Sequence, residues 1–234
     1  SPYIFSLLQY ILGRQNEFRA TWSQLELRKK SLHKDQKTLE FKDPGNGQTK
    51  KSTVAAIAKR TSKQARLCQI LFLLARKSKS RRILELGTSL GVSSSYIFSG
   101  MLEGGQMISI EGIPELAQRA QSDLNELGLH IGVREGLFQD QLPSALQDLG
   151  KVDLAFIDGH HQYAPTLKYL EQILPYCHED TVLVFDDIHW SPDMEKAWSE
   201  IKQHQDVSQT VDLFFLGLVF PFRKAAKEHF AIRL

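Results

Sequence analysis

Cysteine is nearly absent from this chain: Cys68 and Cys177 are the only two among 234 residues. Both lie in apolar helical contexts, so a disulfide framework is excluded and buried thiols in a reducing compartment are expected. Long apolar runs are missing too. The longest, 69-QILFLLA-75, falls well short of the roughly 20 residues that cross a bilayer, so no membrane span is expected. The opening SPYIF has no signal-peptide pattern and lacks an initiator Met, so further residues are expected to precede it. A cytoplasmic protein is the expectation. Two phosphate-binding signatures are also absent. No strand runs into G-x-G-x-x-G and no G-K-S/T follows a glycine loop, which excludes a dehydrogenase or nucleotide-triphosphatase reading. No repeat or low-complexity tract is present.

Charge is plentiful but lopsided. Residues 1–82 hold 19 Lys and Arg against 5 Asp and Glu, whereas residues 83–234 hold 10 against 22. Such a split can mark a nucleic-acid surface. Aromatic residues that could stack on bases are sparse among the basic ones, so solvated basic helices beside an acidic domain are the better reading.

Residues 3–12 and 16–35 carry helical apolar spacing, and 43-DPGNGQ-48 reads as a loop and a candidate lid. Ser52 or Thr53 suits the cap of a short helix, and Thr61 or Ser62 that of a longer one. From residue 82 the pattern alternates. The runs 83-ILEL-86, 107-MISI-110, 152-VDLAFI-157 and 182-VLVF-185 read as buried strands, with 130-HIGVRE-135 a weaker one. Pro114, Pro165 and Ser191-Pro192 open the helices between and after them. Alternation of this kind specifies a parallel sheet covered on both faces. The tail segments 209–215, 217–222 and 229–234 have short connections, which force antiparallel pairing at one edge. Ligands in such sheets bind at the carboxyl ends of the strands.

The first strand ends in 85-ELGTSLG-91, a tight glycine turn before a helix, and the second ends in Glu111. An acidic residue there can accept hydrogen bonds from both ribose hydroxyls. LELGTSLG, MISIEG, 136-GLFQD-140 and 158-DGHHQY-163 together resemble the class I S-adenosylmethionine-dependent methyltransferases. The likeness is to small-molecule O-methyltransferases of the catechol and sugar type, whose signature is D-G-x-H-x-Y, and it covers about residues 60–222. It implies a Rossmann-like methyltransferase fold: a doubly wound, mostly parallel seven-stranded sheet with an antiparallel edge strand. Residues 1–51 would be an N-terminal helical extension, a cap or dimer contact, and residues 52–234 the methyltransferase domain. The resemblance assigns Glu85, Gly87, Thr88, Ser89 and Gly91 to the methionine end of the cofactor. Glu111 with Gly112 would hold the ribose, Phe138 and Gln139 would border the adenine, and Asp158 would reach the cofactor's reactive end.

A second constellation lies beside the first. Asp158 ends the fourth strand, and Asp186-Asp187 ends the fifth. If those strands are neighbours, three carboxylates converge and need a cation, for which Mg²⁺ is the economical choice. Asp158, Asp186 and Asp187 stand where the resembled enzymes place metal ligands. A base must take the acceptor's proton, and Asp158, His160 and His161 form the candidate catalytic group, with either histidine as the base. His189 is a further candidate at the strand end. Trp190 could wall the substrate or pack beneath the Ser191-capped helix. The implied activity is methyl transfer to a hydroxyl of a small molecule, with no membrane or nucleic-acid partner. Alternatives are a nucleic-acid methyltransferase using the basic N-terminal segment, or a non-catalytic binding protein on a degenerate fold.

Overall fold

A computed structural model describes residues 1–42 and 47–233. Residues 43–46 of the expected lid loop lie outside the described residues. Helices α1 (Pro2–Leu12) and α2 (Arg19–Leu32) open the chain, followed by an antiparallel hairpin of β1 (Thr38–Lys42) and β2 (Thr49–Thr53). The sequence pattern does not announce that hairpin: its strands TLEFK and TKKST are mostly polar, and Phe41 is the one residue of the two that is buried. Thr53 caps α3 (Val54–Thr61), as its position implies, by accepting from the Ala56 amide. Helix α4 (Ala65–Lys77) begins after Gln64 rather than after Thr61 or Ser62. Thr61 instead ends α3, and Ser62 opens a short linker, 62–64, whose importance emerges below.

The main sheet is built from β3 (Arg82–Leu86), β4 (Gln106–Glu111), β5 (Gly132–Glu135), β6 (Leu154–Ile157), β7 (Val182–Asp186), β8 (Val207–Asp212), β9 (Leu216–Pro221) and β10 (Glu228–Ala231). Their order across the sheet is β10-β8-β9-β7-β6-β3-β4-β5. This is the mostly parallel, doubly wound sheet the pattern specifies, with one strand more. β9 is antiparallel to both its neighbours, β7 and β8. β10 turns back from β9 as its short connection demands, but it lies beyond β8 and therefore pairs with β8 in parallel.

Alternate residues of each strand face opposite layers, which is why the strands read as continuous apolar runs. Ile83, Phe156 and Val184 enter one core with α1, α4, α5 (Val92–Gly100) and α6 (Pro114–Glu126). Leu84, Ala155 and Leu183 enter the other with α7 (Phe138–Leu149), α8 (Tyr163–Ile173) and α9 (Pro192–Gln203). Helix α8 begins two residues before Pro165, which its first turn tolerates because that amide has no helical partner. Ser191 caps α9 through the Met194 amide. Cys68 and Cys177 are both free thiols. Among the described residues no helix is long and apolar enough to cross a membrane.

Candidate active site

Sheet order reverses between β3 and β6, because the chain runs outward from β3 to β5 and then returns to start β6 on the other side. Such a switch point opens a crevice at the strands' carboxyl ends. The register says what lines it. Leu86 pairs with Ile110 on one side and with Ile157 on the other, and Ile157 pairs with Phe185. The next residue of each strand therefore falls in one row: Glu111, Gly87, Asp158, Asp186. Adjacent strands lie about 4.8 Å apart, so Asp158 and Asp186 are immediate neighbours and Glu111 stands two strands from Asp158. Between them the row has no side chain at all, because Gly87 occupies the gap.

That gap depends on glycine. Gly87 has φ +105°, and a Cβ built on it would lie 2.1 Å from the Asp158 carbonyl oxygen. Above the row is a cleft of about 420 Å³, walled by Gly87, Thr88, Ser89, Glu111, Gly112, Phe138, Asp158, His160, His161, Asp186 and Asp187 among others. The structure thus gathers most of the residues singled out from the sequence. Glu111 is buried, and its two oxygens accept from the Ser89 amide at 2.7 Å and the Ile113 amide at 2.9 Å. Burial raises its pKa, opposed by those amides and that of Gly112. Lone-pair capacity on the carboxylate remains for a ligand.

Three assigned residues stand apart from the cleft wall. Gln139 is exposed on the first turn of α7. Gly91 caps α5 with φ +74° and faces Leu124. Glu85 lies beneath the turn, completely buried, taking hydrogen bonds from the hydroxyls of Ser93, Ser94 and Ser109. Burial outweighs those donors and raises its pKa from 4.5 to about 7. A carboxyl raised in the folded state favours folding when protonated. Its ionisation therefore removes stability as pH rises from about 4.5 to about 7, on the order of 3 kcal/mol for a gap of that size. Glu85→Gln is expected to flatten this part of the stability–pH curve measured by urea unfolding. A variant curve parallel to the wild type would show that folding does not raise the Glu85 pKa.

The two adjacent histidines have different surroundings. Both have positive φ, 64° for His160 and 37° for His161, which turns their side chains apart. His160 bonds through Nδ1 to the Tyr169 hydroxyl, stacks on that ring, and meets Phe138 edge-on. Burial, then the neighbouring His161, lowers its pKa. His161 directs Nε2 toward Asp158 Oδ1 at 3.5 Å. Asp158, His161 and Asp186 offer ligand atoms within 4.8 Å of one another. Asp187 also walls the cleft, with φ 53° and its amide donated to the Phe215 carbonyl. His189 points away to Asp212 at 2.8 Å, and Trp190 is 74% exposed, so it does not pack beneath α9.

One further group belongs to the site, and sequence reasoning misses it. The linker between α3 and α4 crosses over the row, tied down by the Thr61 and Ser89 hydroxyls at 2.9 Å. From it Lys63 places its ammonium against both carboxylates, 2.9 Å from Asp158 and in contact with Asp186. Burial works against this charge, but Asp158 and Asp186 outweigh it and hold the Lys63 pKa above the ordinary lysine value. Burial, then the charge of Asp158, raises the pKa of Asp186. The next-door Ser62 Oγ is buried without a hydrogen-bond partner. No signal in the sequence marks Lys63, which lies 123 residues from Asp186 in a segment where helix caps dominate the pattern.

Comparison with known proteins finds methyltransferases. Residues 84–188 match a family model described as a methyltransferase domain. A catechol O-methyltransferase of Niastella koreensis is 30% identical over 123 residues, covering 51% of this chain and 55% of that protein. One from Mycobacterium tuberculosis is 28% identical over 153 residues, covering 64% and 68%. The chain thus spans little more than half the length of the first of these relatives. Among solved structures, the O-methyltransferase TomG from Streptomyces achromogenes, in complex with SAM, has a TM-score of 0.59 at 26% identity. That match covers 68% of this chain and 81% of TomG.

Proposed function

We propose that this chain is a class I small-molecule O-methyltransferase that transfers a methyl group from S-adenosylmethionine to a hydroxyl of a small molecule. The observation that carries this reading is the row Glu111–Gly87–Asp158–Asp186, with a ribose acceptor at one end, a side-chain-free gap, and a charged reaction centre at the other. The residues suit the cofactor: Gly87 leaves space that a Cβ would fill, and Ser62 Oγ is a buried polar atom awaiting a partner. When bound, the cofactor supplies an electrophilic methyl on a sulfonium.

The chain's own groups do the rest. Glu111 holds the ribose hydroxyls. Asp158 draws the Nε2–H of His161 toward itself, which leaves Nδ1 free to take the acceptor's hydroxyl proton. The 420 Å³ cleft lies toward the small end of ligand sites, which suits a small acceptor. Catechol-type acceptors are the class suggested by the curated relatives.

Magnesium is a finer part of the same reading. The carboxylates of Asp158 and Asp186 are oxygen donors of the hardness it takes, the His161 imidazole is a softer third donor, and Asp187 stands nearby. Lys63 already sits on two of those carboxylates, so the residues fit a divalent ion only with that ammonium displaced. The reaction as drawn runs on side chains alone.

Calorimetric titration with S-adenosylhomocysteine tests the assignment, with micromolar affinity expected. Glu111→Ala removes two charge-assisted hydrogen bonds and is expected to weaken binding by about 100-fold or more. A wild-type chain that binds neither S-adenosylmethionine nor its demethylated product would overturn it.

A further inference from the structure

Two carboxylates one strand apart need a positive charge, and this chain supplies one covalently. We infer that Lys63 is the resident cation of the reaction centre: its ammonium stands where a divalent ion would bridge Asp158 and Asp186, and methyl transfer proceeds without metal. The inference rests on the methyltransferase reading above and concerns which cation serves it.

Geometry carries the argument. Lys63 approaches Asp158 at 2.9 Å and touches Asp186, so each of the two carboxylates gives an oxygen to it. The Lys63 side chain is 12% exposed and that of Asp186 only 2%, so neither is a solvated surface charge free to swing away. The linker that carries Lys63 is fixed on both sides. Thr61 is bonded to Ser89 before it, and Gln64 directly after it is the N-cap position of α4, with Leu67 and Cys68 buried in the core one turn on. A divalent ion would have to break a buried, hydrogen-bonded ion pair before it could bind. The penalty for uncovering such a pair corresponds to a loss of about 100-fold or more in metal affinity.

Lys63 also has a place in the chemistry. Two of its three N–H groups are engaged by carboxylates. The third can donate to the acceptor oxygen, holding it in line while the proton leaves for His161. Lys63 keeps all its protons throughout. The hydroxyl O–H breaks, a C–O bond forms to the methyl, and the electrons of the S–CH₃ bond return to sulfur. Lys63 is thus a positioning group that neutralises charge, a task otherwise given to a metal.

The test is Mn²⁺ titration of the chelator-treated chain, with free Mn²⁺ read by electron paramagnetic resonance. The wild type is expected to show no site tighter than about 1 mM, the weak end of protein divalent-ion sites. Lys63→Met is expected to gain one site per chain, about 100-fold tighter or better, and to lose it again with Asp158→Asn added. If Lys63→Met does not fold, Lys63→Gln carries the same expectation while keeping a donor to the carboxylates. One micromolar Mn²⁺ site per wild-type chain would overturn the inference, as would a folded Lys63 variant that binds none. S-adenosylhomocysteine titration of the same samples separates the two levels. Its loss in the wild type would sink the methyltransferase reading, whereas the Mn²⁺ result judges Lys63 alone.

Discussion

Gly87→Ala is expected to destabilise the chain by about 3 kcal/mol or more and to abolish S-adenosylhomocysteine binding, as read by urea unfolding and calorimetry. Two costs combine. A residue with a side chain rarely adopts φ +105°, and forcing it there costs on the order of 1–3 kcal/mol. The added methyl would also sit 2.1 Å from the Asp158 carbonyl oxygen and 3.1 Å from its carbon, which are backbone atoms. They cannot retreat cheaply, because the Asp158 amide donates to the Leu86 carbonyl at 2.9 Å and β6 is buried on both faces. Overpacking of this kind typically adds another 1–3 kcal/mol. Gly128→Ala is the natural control. It also has positive φ, at +70°, but nothing lies within 4 Å of the place its new methyl would take, so only the smaller conformational cost applies. Equal unfolding midpoints for the two variants would show that the close approach of β3 and β6 is not what requires glycine.

Gly87 also shows why so much of the site is legible in the sequence. A glycine or an acid just beyond an apolar run marks a strand's carboxyl end, and Glu111, Asp158 and Asp186 are all marked in that way. Parallel pairing then places those ends side by side without further information. Once β3 is known to lie between β4 and β6, the row follows from register alone. Local chemistry is equally legible where one side chain decides the matter, as Thr53 and Ser191 do at their helix N-termini.

Contacts between segments far apart in sequence are not legible. Lys63 is one of 19 basic residues in the first 82 and carries no periodic or spacing signal. Its role comes from a linker folded across the sheet, and the same fold takes Thr61 away from capping α4 by bonding it to Ser89. The hairpin of β1 and β2 is hidden for a related reason. Its strands are mostly exposed, so the burial that writes alternation into a sequence acts on little more than Phe41. β10 reads as a strand, but its pairing with β8 rests on which strand lies at the edge, not on residues 228–231 themselves.

The adjacent histidines are separated by the final prediction. His161→Ala is expected to lower turnover by roughly 10²–10⁴-fold, the usual contribution of a positioned general base, while S-adenosylhomocysteine affinity stays within a few-fold. His160→Ala is expected to act chiefly on stability, by about 1–3 kcal/mol, because it leaves the hydroxyl of the buried Tyr169 without its imidazole partner and opens space beside Phe138. His160 spends Nδ1 on Tyr169 and its ring face on the same side chain, and burial keeps it neutral and occupied. His161 has Nε2 3.5 Å from Asp158 Oδ1 and lines the cleft. With a catechol as trial acceptor, kcat/KM is expected to fall far more in His161→Ala than in His160→Ala. Asp158→Ala should reduce turnover comparably, since it removes the group that fixes the tautomer of His161 and anchors Lys63, without weakening the ribose contact at Glu111. If turnover survives in His161→Ala and is lost in a folded His160→Ala, the proton goes to the histidine on Tyr169. The row of carboxylates would then position the acceptor from one side while its proton leaves from the other.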